Sequence, residues 1–332
     1  MKRTIIILTM GLILYLSCQN NNTASYYQTD SDEFYRQIEF DAYNKLKSEN
    51  NVENSVRQHL FSYYVINRDT QGRIIHAEYI KKQRLSTGGF NELSPGIASF
   101  TINYMPDKDI FICTGRNADK VLSIYTFEKD GEGRYEKRIM TDMQNGAKQY
   151  IIYEYNNKGI LIRSIYCDSL ENPVLNHEDI AGHFYKYNKK DNLISERYLD
   201  IEGNITVKSN GIGGYNYYYN EDGQRIKTEI VGPNFNIVKT AKSEYNNDGM
   251  VKRAVFYDAG GNPLSGTGNV PVIEYEYDRY GNMTALIHKN MEGELVEDRQ
   301  GVAKSEYKYK NGKIIINEFD KEGSQAIGFE VK

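Results

Sequence analysis

The segment Tyr275-Glu276-Tyr277-Asp278-Arg279-Tyr280-Gly281-Asn282 decides how the rest of the chain is read. With Ile273 ahead of it, the sequence alternates. Ile273, Tyr275 and Tyr277 fall on one side of an extended chain and Glu274 and Glu276 on the other, which is the period of a half-buried strand. Asp278 can then accept a backbone hydrogen bond from two residues on, and Gly281 supplies a positive φ, so the strand runs directly into a turn. Beyond the turn the chain must come back antiparallel, and the segment is one arm of a hairpin.

Working outward, the same arrangement recurs through the C-terminal half, with anchoring tyrosines at Tyr155, Tyr187, Tyr219, Tyr245, Tyr277 and Tyr309. Successive anchors are about 32 residues apart except for one interval of about 26, the mark of a tandem structural repeat. Asn156, Asn188, Asn220, Asn246 and Asp278 open the turns, and Gly159, Gly223, Gly249 and Gly281 occupy the positive-φ position, which Asp191 takes in the second unit. The last unit shortens to Asn311-Gly312, a two-residue hairpin turn. The short interval loses its residues between Ile230 and Tyr245, in a connection between hairpins, where loops absorb deletions. A lone hairpin is marginal in water, so neighbouring units are expected to share their tyrosine faces in one continuous core.

The tyrosine-acid-x-x-glycine pattern at 277–281 resembles the tyrosine-aspartate (YD) repeat of the RHS family of bacterial surface and toxin proteins. The resemblance covers residues 148–332 well and 60–147 poorly. It implies a long, coiled antiparallel sheet and brings no catalytic residue with it. The period here is longer than the usual YD spacing, and the units are too few to build a shell around a payload.

The expected fold is therefore mainly β: tandem hairpins forming an extended, coiled sheet or solenoid. Toward the N-terminus the pattern loosens. Residues 63–147 read as degenerate units (Tyr64 to Gly72, Tyr104 to Cys113, Tyr125 to Gly133), ahead of the regular repeats at 148–332. Residues 31–62 are predicted to be a helical cap over the first sheet edge, because Phe34, Ile38, Ala42 and Leu46 recur every four residues and a second stretch spans Val52 to Leu60.

The first residues predict the location. Lys2-Arg3, an apolar run from Thr4 to Leu16 and then Ser17-Cys18 describe a secretory signal too short to span a bilayer. The setting of Cys18 resembles a bacterial lipobox, which implies cleavage after residue 17, lipidation of Cys18, and a flexible tether over 18–30 holding the domain to a membrane. Gln19 is not the aspartate that retains some lipoproteins at the inner membrane, so the outer membrane is favoured. Without residues 1–17 the chain has 39 basic and 45 acidic side chains, and no basic stripe is left to neutralise a nucleic acid. Cys113 and Cys167 are then the remaining thiols, and whether they pair is open.

Candidate chemistry is sparse. His177, Glu178 and His183 have neither the spacing of a zinc-protease helix nor that of a finger, and His183 fills the strand slot taken by Tyr215 and Ile273 in other units. The turn acids Asp168, Asp200, Asp258 and Asp320 are explained by backbone capping as readily as by calcium. Gly211-Ile212-Gly213-Gly214 lacks the lysine of a phosphate loop. No catalytic residue, metal site or cofactor is assigned.

The expected function is a non-enzymatic module that binds or scaffolds a protein or a glycan. Tyr218 is expected to face away from Tyr215, Tyr217 and Tyr219, forming with Asn216 and Asn220 a possible binding surface. The alternative is a polysaccharide-acting enzyme or accessory subunit using exposed carboxylates such as Glu274, Glu276, Asp278 and Glu306. An immunity protein on a hairpin-repeat fold is a third reading, at odds with a secretory signal.

Overall fold

A computed structural model describes the backbone at residues 8–9, 12–13, 33–40, 46–51, 62–81, 84–85, 97–115, 120–265, 269–310 and 313–331. Cys18, the tether over 18–30, the stretch from Val52 to Leu60 and the turn glycine Gly312 lie outside these residues. Leu8–Thr9 and Leu12–Ile13 form a small separate pairing. Everything else described belongs to a single antiparallel sheet.

Its strand order follows the chain almost throughout. From Ser99–Tyr104 to Gln325–Val331 each long strand pairs with the next, so every strand pair is a hairpin or the step between two hairpins. The two short strands Arg84–Leu85 and Ile205–Thr206 attach at the ends of longer ones. Among the described residues no pairing joins Gln325–Val331 back to the N-terminal strands, and the sheet is open.

Among the described residues of 31–62 the helical cap is not formed. Glu33–Phe40 and Leu46–Asn51 are strands that pair with each other, and Glu33–Phe40 also pairs with Ser62–Arg68. The segment thus extends the sheet by two strands at the edge it was expected to cover. The reason is arithmetic: a four-residue spacing is also two periods of a strand, so Phe34 and Ile38 fit both, while Tyr35 and Phe40 add β-favouring aromatics. A neighbouring edge with unpaired backbone groups then selects the extended form.

The deepest packing lies in the irregular half. Ile66, Ala77, Ile97, Phe100, Phe111, Cys113 and Phe127 are at most 1% exposed and belong to one cluster. The Phe111 ring lies 5.4 Å from that of Phe100 and 4.8 Å from that of Phe127, within the range of favourable aromatic pairs. In the regular half the core is thinner and richer in tyrosine: Ala254, Tyr275 and Leu286 pack with Ile273, Tyr277, Met283 and Tyr307. Cys113 and Cys167 are buried and unpaired with each other.

Candidate functional site

The units anchored at Tyr155, Tyr187, Tyr219, Tyr245 and Tyr277 are built from the same turn. At Asn156 the side-chain Oδ1 accepts the N–H of Lys158 (2.9 Å) and of Ile160 (3.1 Å), while the Gly159 N–H donates to the Asn156 carbonyl (2.9 Å). Asp278 holds Tyr280 and Asn282 in the same way. Gly159, Gly223, Gly249 and Gly281 have φ between +77° and +80°, and Asp191 takes their place at +60°.

Directly before the turn the register slips at the anchoring tyrosine. Glu276 faces Ala285 but Tyr277 faces Met283, so two residues of the returning strand oppose one of the incoming strand. The same β-bulge recurs at Tyr155, Tyr187, Tyr219 and Tyr245, and in the irregular half at Arg68 and Lys129. A bulge interrupts the ladder and re-aims nearby groups.

The phenol of the next hairpin meets the carbonyl at that interruption. Tyr219 donates to the Leu193 carbonyl (2.8 Å), Tyr245 to Arg225 (2.8 Å), Tyr277 to Val251 (2.8 Å) and Tyr309 to Met283 (2.7 Å). Each acceptor is the first residue of the returning strand one hairpin earlier. Tyr155 reaches Tyr135 and Tyr104 reaches Ile74 by the same rule, so the irregular half shares the device. The rings therefore supply apolar area and also satisfy the polar groups left by the bulges.

The outward-facing patch centres on a residue that sequence reasoning did not identify. Glu229, 7% exposed, accepts the Tyr218 hydroxyl (2.8 Å), the Asn216 amide (3.1 Å) and Lys227 Nζ (2.9 Å). Burial pushes its carboxyl up, but these three donors outweigh that and hold it below the usual carboxylate range. Lys227 Nζ also lies 3.7 Å from the Tyr218 ring centre, so one ring face is covered by an ammonium. Asn220 is not part of this group: its side chain bonds Gln224 within the turn. Tyr218 and Asn216 thus come together, and Asn220 serves the hairpin.

On the opposite face, His183 Nδ1 lies 2.8 Å from Glu196 Oε1, and Tyr217 donates to Glu196 Oε2 (3.1 Å). Tyr185 stacks on the His183 ring, and Tyr166 and Tyr198 meet it edge-on. Burial pushes Glu196 up, yet the His183 bond and charge and the Tyr217 hydroxyl bring its carboxyl below the ordinary value. His183 is fully engaged within the core of its own unit. Glu196 and Glu229 carried no local signal, since each finds its partners across strands whose register the sequence does not state.

The other carboxylates are committed locally. Glu274 pairs with Lys289 (2.6 Å) and Glu306 with Lys304 (2.8 Å), while Asp278 holds its turn. Asp168, Asp258, Asp200 and Asp320 accept backbone N–H groups of their own loops. At Asp168 the Asn172 backbone N–H, then its side chain, lowers the carboxyl below its ordinary value. Among the described residues no group of three or more metal-ligating side chains comes together.

The fold and these sites define an antiparallel hairpin-repeat protein whose units are joined by tyrosine-to-backbone ties. No family model matches the chain, and no curated protein matches it. Among solved structures it is similar to the Photorhabdus luminescens Tc holotoxin pore (12% identity, TM-score 0.35), covering 81% of this chain and 14% of that one. It is similar to the TcdB2-TccC3-TEV structure (12%, 0.36), over 80% of this chain and 16% of that one. A porin-like protein from Bacteroides uniformis is similar at 9% and 0.35, over 76% of this chain and 92% of that one. The chain spans about a sixth of the toxin chains it is similar to, and likenesses of this degree carry no argument about function.

Proposed function

We propose that the chain is a lipid-anchored, non-enzymatic module of the bacterial envelope, favouring the outer membrane, whose repeat sheet binds or scaffolds another protein or a glycan. The observation that carries this reading is how the inner face is used. Tyrosine rings, the His183–Glu196 pair and the bulge carbonyls satisfy one another there, which leaves the outer face and the two rims of turns as the surfaces for recognition. The N-terminal signal pattern and Cys18 supply the anchor in this reading, and the YD-like repeats supply the extended surface.

The test combines palmitate labelling, crosslinking pull-down and protease shaving of intact cells. The expected result is a label lost in Cys18→Ala and a reproducible partner crosslinked to the repeat region. Turnover of a polysaccharide by the purified chain, abolished in Glu274→Gln or Glu306→Gln, would overturn the non-enzymatic reading.

A further inference from the structure

The turns of the sheet form two rims, and these differ in chemistry. One rim carries the tight anchor turns. The other carries the connections at 142–147, 168–181, 200–213, 232–236, 258–265, 290–303 and 320–324. Among the described residues thirteen large apolar side chains stand well exposed, and nine of them are on this second rim. Leu170 is 79% exposed, Phe235 59%, Leu175 51%, Ile201 48%, Met291 42% and Leu295 37%. Scattered exposed apolar residues are ordinary, but a row concentrated on one rim is not.

Charge is segregated in the same way. The seven connections hold fourteen carboxylates and three Lys or Arg, a net of −11, against −4 for the whole chain, so the remainder carries +7. The anchor turns at 130–134, 156–160, 188–192, 220–224, 246–250 and 278–282 hold seven acids and five bases, a net of −2. Capping explains one Asp in a loop and does not explain Glu202 or Glu292, which stand exposed beside Ile201 and Met291; Glu294, exposed beside Leu295, accepts the Asn290 side-chain amide (2.9 Å). Neighbouring hairpins are about 10 Å apart, two strand spacings. Exposed apolar side chains and carboxylates share the connections at 142–147, 168–181, 200–213 and 290–303, while 232–236 offers Phe235 alone.

We propose that this rim is a docking surface for a protein segment that is basic and carries interspersed apolar side chains. The inference rests on the binding-module reading and names its surface and the chemistry of its partner. Complementarity of charge selects the occupant: an anionic bilayer surface or a nucleic acid is repelled by a rim of net −11, and so is the same rim of a second copy. Lysine and arginine on the partner would meet the exposed glutamates, while its apolar groups cover Leu170, Ile201, Phe235 and Leu295.

Two measurements on the full chain test this. In the first, a synthetic peptide of alternating lysine and leucine is titrated against the detergent-solubilised protein, beside the isomer with glutamate for lysine. Binding at least tenfold tighter for the lysine peptide is expected. It should weaken at least tenfold in L170S/F235S and in E202K/E292K, and be unchanged in K158E/K189E on the other rim. Equal binding of the two peptides, or equal loss from the two rims, overturns the proposal. In the second, photocrosslinking side chains are placed in cells at 170 and 235, at 158 and 189, and at 218. Adducts at 170 and 235 to a lysine- and arginine-rich partner peptide are expected. Adducts there to lipid or to a second copy overturn the rim assignment. Adducts only at 218 sink the rim and leave the binding-module reading standing, whereas a chain with no adduct at any position loses both.

Discussion

Removing the single hydroxyl of Tyr277 separates the two roles given to the anchors. Its ring packs against the cluster of Ala254, Tyr275 and Leu286, and its oxygen donates to the Val251 carbonyl at 2.8 Å. Tyr277→Phe keeps the ring and leaves that carbonyl without its partner, which costs about 1 to 2 kcal/mol: the net value of a hydrogen bond plus part of the desolvation of a half-buried acceptor. Tyr277→Ala removes the ring as well and costs roughly 3 to 4 kcal/mol, at the low end for aromatic truncations because the site is only partly buried. The ties recur in separate units, so Tyr219→Phe, Tyr245→Phe, Tyr277→Phe and Tyr309→Phe combined should lose about 4 to 8 kcal/mol, nearly additively. Urea unfolding gives the totals. Hydrogen exchange at the Val251–Tyr257 strand gives the local effect, since stability in a repeat array is set largely by nearest neighbours. A Tyr277→Phe protein within about 0.3 kcal/mol of the parent would refute the tie and leave the anchors as apolar filling only.

The same tyrosines predict an alkaline limit. Burial pushes Tyr277 and Tyr307 up to about 12, and Tyr104 as well, where Asp109 adds to the burial. A folded value above the unfolded one stabilises fully below about pH 10 and is lost as pH rises through about 12, so urea midpoints should fall across that window and fall less in the fourfold Phe variant. Close approach outweighs φ at two glycines. A Cβ at Gly182 would lie 2.4 Å from the Ser164 carbonyl oxygen, whereas at Gly223, with φ +80°, it meets nothing within 4 Å. Gly182→Ala should therefore cost at least about 2 kcal/mol more than the roughly 1 kcal/mol expected for Gly223→Ala in the same unfolding assay. Returning six residues to the 232–236 connection should shift stability by less than about 1 kcal/mol, because loop closure depends weakly on length; a larger loss would mean that the short connection is required for packing.

The turns were legible because they are local. Asn156, Gly159, Asp278 and Gly281 announce their geometry within five residues, and Asp191 could be placed in the glycine slot from spacing alone. What depends on register was not legible. The bulge at each anchor, the carbonyl its successor reaches and the gathering of Tyr218, Asn216 and Lys227 on Glu229 all require knowing which residue faces which across strands. Periodicity misjudged one region and said nothing of the packing of another. At 33–40 a spacing of four served a strand as well as a helix. At 64–127 irregular spacing coincides with the most buried rings of the sheet, since repetition measures copying of a unit and burial measures the apolar area gathered in one place.

The one short unit shows what the repeat conserves physically. Full-length units place the tyrosine 26 residues beyond its acceptor, as in Tyr219 to Leu193, Tyr277 to Val251 and Tyr309 to Met283. Across the shortened connection Tyr245 reaches Arg225 over 20, and the bond length is unchanged at 2.8 Å. Six residues vanish from the path along the chain without altering the contact across it, so the tie belongs to the sheet and the connection is slack between two fixed points. That division frees the connecting rim to vary in length and to carry exposed leucines, isoleucines and glutamates, while the anchor rim stays confined to tight turns by the tyrosines beside it. A recognition surface built on the connecting rim can therefore change without disturbing the ties that hold the hairpins in register.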